Sequence, residues 1–228
     1  MKAMIFAAGL GTRLKPLTDT LPKALVPVCD KPLIEHVARK LQSAGIDEVV
    51  VNVHYFADKV EQWIESQDWI SLSRGDAGVG KMLFEISDER ELLLETGGAV
   101  LHARSFLEGC GRFLIHNVDI LSNCDIHWFE SQVKNDALAT LLVSERMTSR
   151  FLLFDHDTLR LLGWMNTDSG DYHVVSPEID PKACRALAFS GIHILSDKVP
   201  ELMQEYVEEK GLPVDDIKGV RFPIMNFY

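Results

Sequence analysis

The chain of 228 residues carries 23 Lys and Arg against 34 Asp and Glu, a formal net charge of −11, with 46% hydrophobic and 25% charged residues. This is the composition of one sizeable globular domain, and it excludes disorder as the main state. So acidic a chain repels the phosphates of nucleic acid and of anionic lipid. No nucleic acid and no membrane is expected as a partner, and any phosphate must be held locally.

Taken in chain order, Ala3–Ala7 is a short apolar run halted by glycine, which reads as a buried strand. Lys2 ahead of it gives a faint likeness to a signal peptide, but the apolar part is too short and no cleavage site follows. Leu33, Ile34, Val37, Ala38 and Leu41 have helical spacing, so Pro32–Ala44 is expected to be a helix ended by Gly45. Ile46–Val53 reads as a strand, Phe56–Ser66 as an amphipathic helix and Met82–Ile86 as a strand. Thr96–Phe106 is predicted as one helix beginning at Gly97-Gly98. Phe113–Ile115 is a strand ending near Asp119, Ile126–Lys134 a helix and Ala137–Val143 a strand. This alternation implies an α/β fold with a doubly wound, mostly parallel sheet and right-handed crossovers.

The pattern changes after about residue 145. Phe151–Phe154 and Leu159–Leu162 flank His156-Asp157 like a hairpin, a polar stretch follows, and Ala186–Leu195 and Lys198–Lys210 read as strand and helix. A single domain of residues 1–228 is therefore expected, with a first half of residues 1–145 and a smaller β-rich half of residues 146–228. The ending Phe222–Tyr228 is apolar and aromatic and would need cover, which suggests a final element beyond it. Four cysteines (Cys29, Cys110, Cys124, Cys184) are scattered without a C-x-x-C pair, pointing to a reduced, cytoplasmic protein. No apolar run reaches the roughly 18 residues of a membrane helix.

In an open α/β sheet, ligands bind beyond the carboxyl ends of the strands. The segment after the first strand reads Ala7-Ala8-Gly9-Leu10-Gly11-Thr12-Arg13-Leu14-Lys15-Pro16-Leu17-Thr18, then Pro22-Lys23-Ala24-Leu25-Val26-Pro27. Its glycines allow close backbone approach and present several N–H groups together, an anion cradle. Arg13 can fork two phosphate oxygens and Lys23 can place a point charge on another. Two better-known phosphate motifs do not fit. A dinucleotide fingerprint needs a third glycine where Leu14 stands, which argues against an NAD enzyme. Gly75-Asp76-Ala77-Gly78-Val79-Gly80-Lys81 has P-loop spacing but is followed by Met82, which has no hydroxyl, and by an extended rather than helical run. It reads as a surface loop.

Gly9–Pro27 resembles the signature of the sugar-1-phosphate nucleotidyltransferases, G-x-G-T-R, a proline and a threonine, then P-K-x-x-x-P. Leu94-Glu95-Thr96-Gly97-Gly98-Ala99 and Phe189-Ser190-Gly191-Ile192 agree. Within the family these look most like the N-acetylmuramate-1-phosphate uridylyltransferase and mannose-1-phosphate guanylyltransferase-like branches. The resemblance implies a Rossmann-like nucleotidyltransferase fold with a sugar-side β-rich region, NTP and sugar 1-phosphate as substrates, and Mg2+ as cofactor. It implies that Arg13 grips the departing pyrophosphate and that Lys23 neutralises the α-phosphate. Ala8, Gly9, Gly11 and Thr12 would surround base and phosphates. Thr96 and Gly97 would contact nucleobase and ribose, Gly191 the sugar, and Asp119 the Mg2+.

The chemistry suits these residues. Both reactants are anionic, so positioning and charge neutralisation do most of the catalysis, and Mg2+ asks for few carboxylates beside phosphate oxygens and water. His116 reads as a strand-end residue rather than a metal ligand, since no second His or Cys stands at a useful spacing. Cys29 lacks a base partner and reads as structural. Trp63 and Trp69 are expected to pack under a helix. Glu95 and Asp125 are weak acid–base candidates. Val118 is bulkier than the small residue the family pattern has before its aspartate, and would narrow the approach to the ribose. The family's second metal aspartate has no counterpart after Gly191, and Asp197, Asp215 and Asp216 lack its surroundings. A catalytically impaired or regulatory nucleotide-binding module is thus the alternative. Base and oligomeric state are left open. Sugar choice is expected to rest on Thr167–Lys182.

Overall fold

Ala3, Met4 and Ile5 are wholly buried, as a strand with neighbours on both edges and cover on both faces requires. In the computed structural model, which describes residues 1–72, 80–215 and 218–228, they form β1 (Lys2–Phe6). A small hairpin, β2 (Pro27–Val28) and β3 (Lys31–Pro32), follows the long loop after β1. Cys29 and Asp30 at its tip have φ of 47° and 66°, the left-handed pair that a tight two-residue hairpin turn requires. Cys29 is thus structural, as a turn residue.

The next elements are α1 (Leu33–Ser43), β4 (Glu48–Val53), α2 (Ala57–Glu65), β5 (Ile70–Ser71) and β6 (Met82–Asp88). Then come α3 (Glu95–His102), α4 (Arg104–Leu107), β7 (Arg112–Asn117), α5 (Ile126–Ser131) and β8 (Ala139–Ser144). The chain continues through β9 (Arg150–Phe154), β10 (Leu161–Asn166), β11 (Tyr172–Val174), β12 (Arg185–Ser196) and α6 (Val199–Lys210). It closes with β13 (Val214–Asp215), β14 (Gly219–Val220) and α7 (Ile224–Phe227). The residues divide into two compact units, one of residues 1–140 with 193–227, the other of residues 141–192 with Tyr228.

In the first unit β5, β6, β4, β1 and β7 lie side by side in that order, each pair parallel. Met4 stands opposite Val50 on one side and Ile115 on the other. From β1 the chain runs outward through β4 to β6, then returns past β1 to β7. With right-handed crossovers that change of direction puts α1 and α2 on one face and α3–α4 on the other. It also makes the crevice beyond the ends of β1 and β7 the topological switch point, where open α/β sheets bind ligands.

The helix predicted over Thr96–Phe106 is two helices. Ala103, at ψ of 3°, ends α3, and α4 restarts so that Ala103 and Leu107 both enter the core. The Gly97-Gly98 pair inside α3 is there for contact. A side chain at Gly98 would collide with the carbonyl oxygen of Val220, and one at Gly97 with the Phe222 ring. The helix expected over Ile126–Lys134 stops at Ser131. Trp69 meets Trp63 and Phe84 edge-on, with centroids 6.3 and 6.5 Å away, as packing residues do. The P-loop-like run Gly75–Val79 lies outside the described residues, and Met82 after it does begin a strand.

The second unit is antiparallel. β9 and β10 form the expected hairpin, with Leu152 opposite Trp164, and β11 and the Arg185–Leu187 part of β12 add to its two edges. Asp155 builds the turn, its carboxylate accepting from the backbone N–H of Thr158 at 2.8 Å and from its hydroxyl at 2.6 Å. These bonds hold the Asp155 carboxyl below its usual range.

Candidate active site

The loop leaving β1 is a chain of tight turns, each with a local cause. Gly11, at φ of 64°, is left-handed, and any side chain there would press on Thr18 and Lys23. Its carbonyl accepts from the Leu14 N–H and the Thr18 hydroxyl, both at 2.8 Å, and Thr18 is buried. This folds Thr12-Arg13-Leu14 outward. Arg13 is exposed and has no hydrogen-bond or ion-pair partner among the described residues. Pro22, held extended, starts the turn Lys23–Leu25, and the buried side chains of Ala24 and Val26 pin it to the core.

Asp119 reaches the same crevice from the other strand. Val118 extends the ladder by donating its N–H to the Phe6 carbonyl at 3.2 Å, and its side chain is buried. Asp119 follows in a turn closed by the Ile120 N–H on the Asn117 carbonyl. Its Oδ2 lies 2.5 Å from Lys23 Nζ, the two side chains being 28% and 15% exposed. Lys40 of α1 braces the chain just beyond, donating to the carbonyls of Ser122 and Cys124 at 2.9 and 2.6 Å. His116 is buried, shares a hydrogen bond through Nδ1 with the Asn117 carbonyl, and is pushed down to about 4 by burial.

Thr96 and Gly97 stand at the start of α3, where the segment Val220–Ile224 engages them. The Gly97 and Gly98 N–H groups donate to the Phe222 carbonyl at 2.9 and 3.2 Å, and the Thr96 hydroxyl oxygen accepts from the Ile224 N–H at 2.9 Å. Glu95 is ion-paired to Arg221 at 2.8 Å, and Asp125 caps α5. Both are structural as placed. Asp197 accepts from the Gly111 N–H, Asp215 from the Lys218 N–H, and Asp216 lies outside the described residues. Gly191 is buried within β12, in the second unit.

Two buried polar residues of the site carry no signal in the sequence. Asn52, at the end of β4, accepts from the Ala7 N–H at 2.8 Å through Oδ1 and donates through Nδ2 to Glu89 at 2.8 Å. Glu89 in turn accepts from the Leu94 N–H at 3.2 Å. A lone asparagine and a lone glutamate, 37 positions apart, look like any strand end and any turn.

The structure therefore brings Lys23 and Asp119 into contact and leaves Arg13 free on the loop that carries Ala8, Gly9, Gly11 and Thr12. Among the described residues no group of three or more His, Cys, Asp or Glu gathers to hold a metal. No described helix is long and apolar enough to cross a membrane.

A glycine loop and a facing aspartate meet at the switch point of a mostly parallel sheet, the ligand-binding place of an open α/β protein. Residues 2–216 match the nucleotidyl transferase family, and the chain belongs to it. It is 36% identical over 202 residues to the N-acetylmuramate alpha-1-phosphate uridylyltransferase of Caulobacter vibrioides, covering 86% of this chain and 76% of that one. To the enzyme of the same name from Neisseria meningitidis serogroup B it is 38% identical over 125 residues, 55% of this chain and 49% of that one. The fold matches a crystal structure of UDP-glucose pyrophosphorylase complexed with UDP-glucose at a TM-score of 0.68 and 18% identity. That match covers 99% of this chain and 85% of the other.

Proposed function

We infer that the chain transfers a nucleotidyl group from an NTP to a sugar 1-phosphate, giving an NDP-sugar and pyrophosphate. The observation that carries this is the meeting of Lys23 and Asp119 at the β1–β7 switch point, Lys23 belonging to the same connection after β1 that presents Arg13. A phosphate oxygen of the sugar phosphate forms a bond to the α-phosphorus as the bond to the pyrophosphate oxygen breaks. The N–H groups around Gly9 and Gly11 receive the triphosphate, Arg13 takes the leaving pyrophosphate by its fork, and Lys23 neutralises charge at the α-phosphate. No protein nucleophile is needed.

Asp119 fits a magnesium ion. It is a single, partly exposed carboxylate beside the phosphate loop, and that ion takes one or two carboxylates along with phosphates and water. Asp119 would supply a carboxylate oxygen to that ion, which would contribute positive charge beside the phosphates, and Lys23 would hold its cation toward the α-phosphate. Gly191 is assigned to the sugar, Thr96 and Gly97 to the nucleoside, and the reducing cytoplasm suits the four free thiols.

The test is pyrophosphate release over a panel of NTPs and sugar 1-phosphates with Mg2+. Arg13→Ala is expected to lower the rate about 10²–10³-fold, the usual loss for one preorganised charge contact. An unchanged rate would exclude that role. Nucleotide binding without release under every pairing would favour the binding-module reading.

A further inference from the structure

Glu89 is 2% exposed, yet every polar atom it has is used. Its N–H donates to the Val53 carbonyl at 2.8 Å, and its carbonyl accepts from the Leu92 N–H and from His54 Nδ1. Its two carboxylate oxygens go to different places. Oε1 accepts from Asn52, whose other end holds the Ala7 N–H, and Oε2 accepts from the Leu94 N–H. Ala7 opens the phosphate loop, and Leu94 leads into Thr96 and Gly97.

We propose that Glu89 is a positioning residue for the nucleotide, its carboxylate setting the separation between the chain leaving β1 and the segment entering α3. This rests on the reading of those two segments as the walls of the NTP site. A carboxylate is the one side chain that accepts at both ends, and both of its partners are N–H donors. A neutral group, whether the protonated acid or an amide, turns a donor toward one of them and breaks the span. An apolar residue would strand both donors in a buried place.

The buried surroundings favour a proton near neutrality. Burial, aided by neighbouring Asp88, pushes the Glu89 carboxyl up to about 7 against the bonds from Asn52 and Leu94. Arg90 does not offset it, being tied to Asp58, Glu61 and Asp88. His54 and His102 meet backbone carbonyls, of Glu89 and Asp88 respectively. The span is thus intact above neutrality and opens below it.

Glu89→Gln keeps the shape and removes the second acceptor. Hydrogen exchange at the Ala7 and Leu94 amides should quicken about tenfold while Val50 in β4 stays protected, the scale of one lost bond to a charged group. KM for the NTP should rise about tenfold with kcat within about threefold. Asn52→Ala should do the same, and the double variant should be no worse than the worse single one. Wild-type KM should rise as pH falls from about 8 to about 6, and the Gln variant should lose that dependence. Faster exchange with unchanged KM, unchanged exchange, or additive losses would each overturn the proposal. A wild-type chain that binds NTP but releases no pyrophosphate would refute the transferase reading instead. The NTP dissociation constants of the same variants would then decide on Glu89.

Discussion

In β4 and β7 nearly every side chain is buried, whereas in β10 and β11 almost none is. The first pair belongs to parallel strands covered on both faces, the second to an antiparallel hairpin with one face open. The contrast has a chemical corollary. Parallel strands all end on the same side, so the loops after β1, β4, β6 and β7 converge, and the polar residues of the site come from those ends. An antiparallel unit has no such common end, and its side chains are individually more replaceable.

Four changes would sharpen or break that contrast. The largest effect is expected from Phe113→Ala in β7, where the ring is wholly buried. A loss of about 3–5 kcal/mol is the usual cost of such a cavity, read by urea unfolding. Lys23→Ala comes next. It removes the cation and leaves Asp119 without its partner, and pyrophosphate release should fall by about 10²–10³-fold.

The third is a pH effect on stability. Glu89 carries a folded value of about 7 against an ordinary 4.5, so the folded chain takes up a proton between the two. Its contribution to stability is therefore lost as pH rises through that window. His116, pushed down to about 4 from 6.5, works the other way, and stability is lost as pH falls between those values. Glu89→Gln should remove the first term only. Its unfolding free energy, read by urea unfolding, should climb more steeply with pH than the wild type's between about 4.5 and 7, by about 1 kcal/mol per pH unit. Parallel curves would mean that Glu89 does not titrate there. The smallest effect is expected from Asp155→Ala in the open β9–β10 turn, a slight lowering of the melting temperature with pyrophosphate release intact. A large loss from that change would undo the contrast.

Where a single stretch of chain carries its own cause, the sequence was enough. The apolar run of β1, the helical spacing of α1 and the glycines before Arg13 all announce themselves within a few positions. Lys23 and Asp119 were each legible through the family signature, but their contact was not, because 96 positions and a sheet topology lie between them. The break at Ala103 was hidden because alanine is an excellent helix former and only packing ends the helix there. The bonds of Gly97 and Gly98 to Phe222 were equally out of reach, since no local pattern reveals which distant carbonyl will arrive.

The Lys23–Asp119 pair has a consequence for what the crevice ignores. A bare lysine at the end of a phosphate loop would collect whatever small anion drifted past, inorganic phosphate or a nucleoside monophosphate among them. Here the positive end is already matched, and a lone anion must displace a carboxylate to gain it. Lys23 therefore meets an incoming anion only in exchange for the Asp119 carboxylate, whereas Arg13, exposed on the same loop, meets it directly.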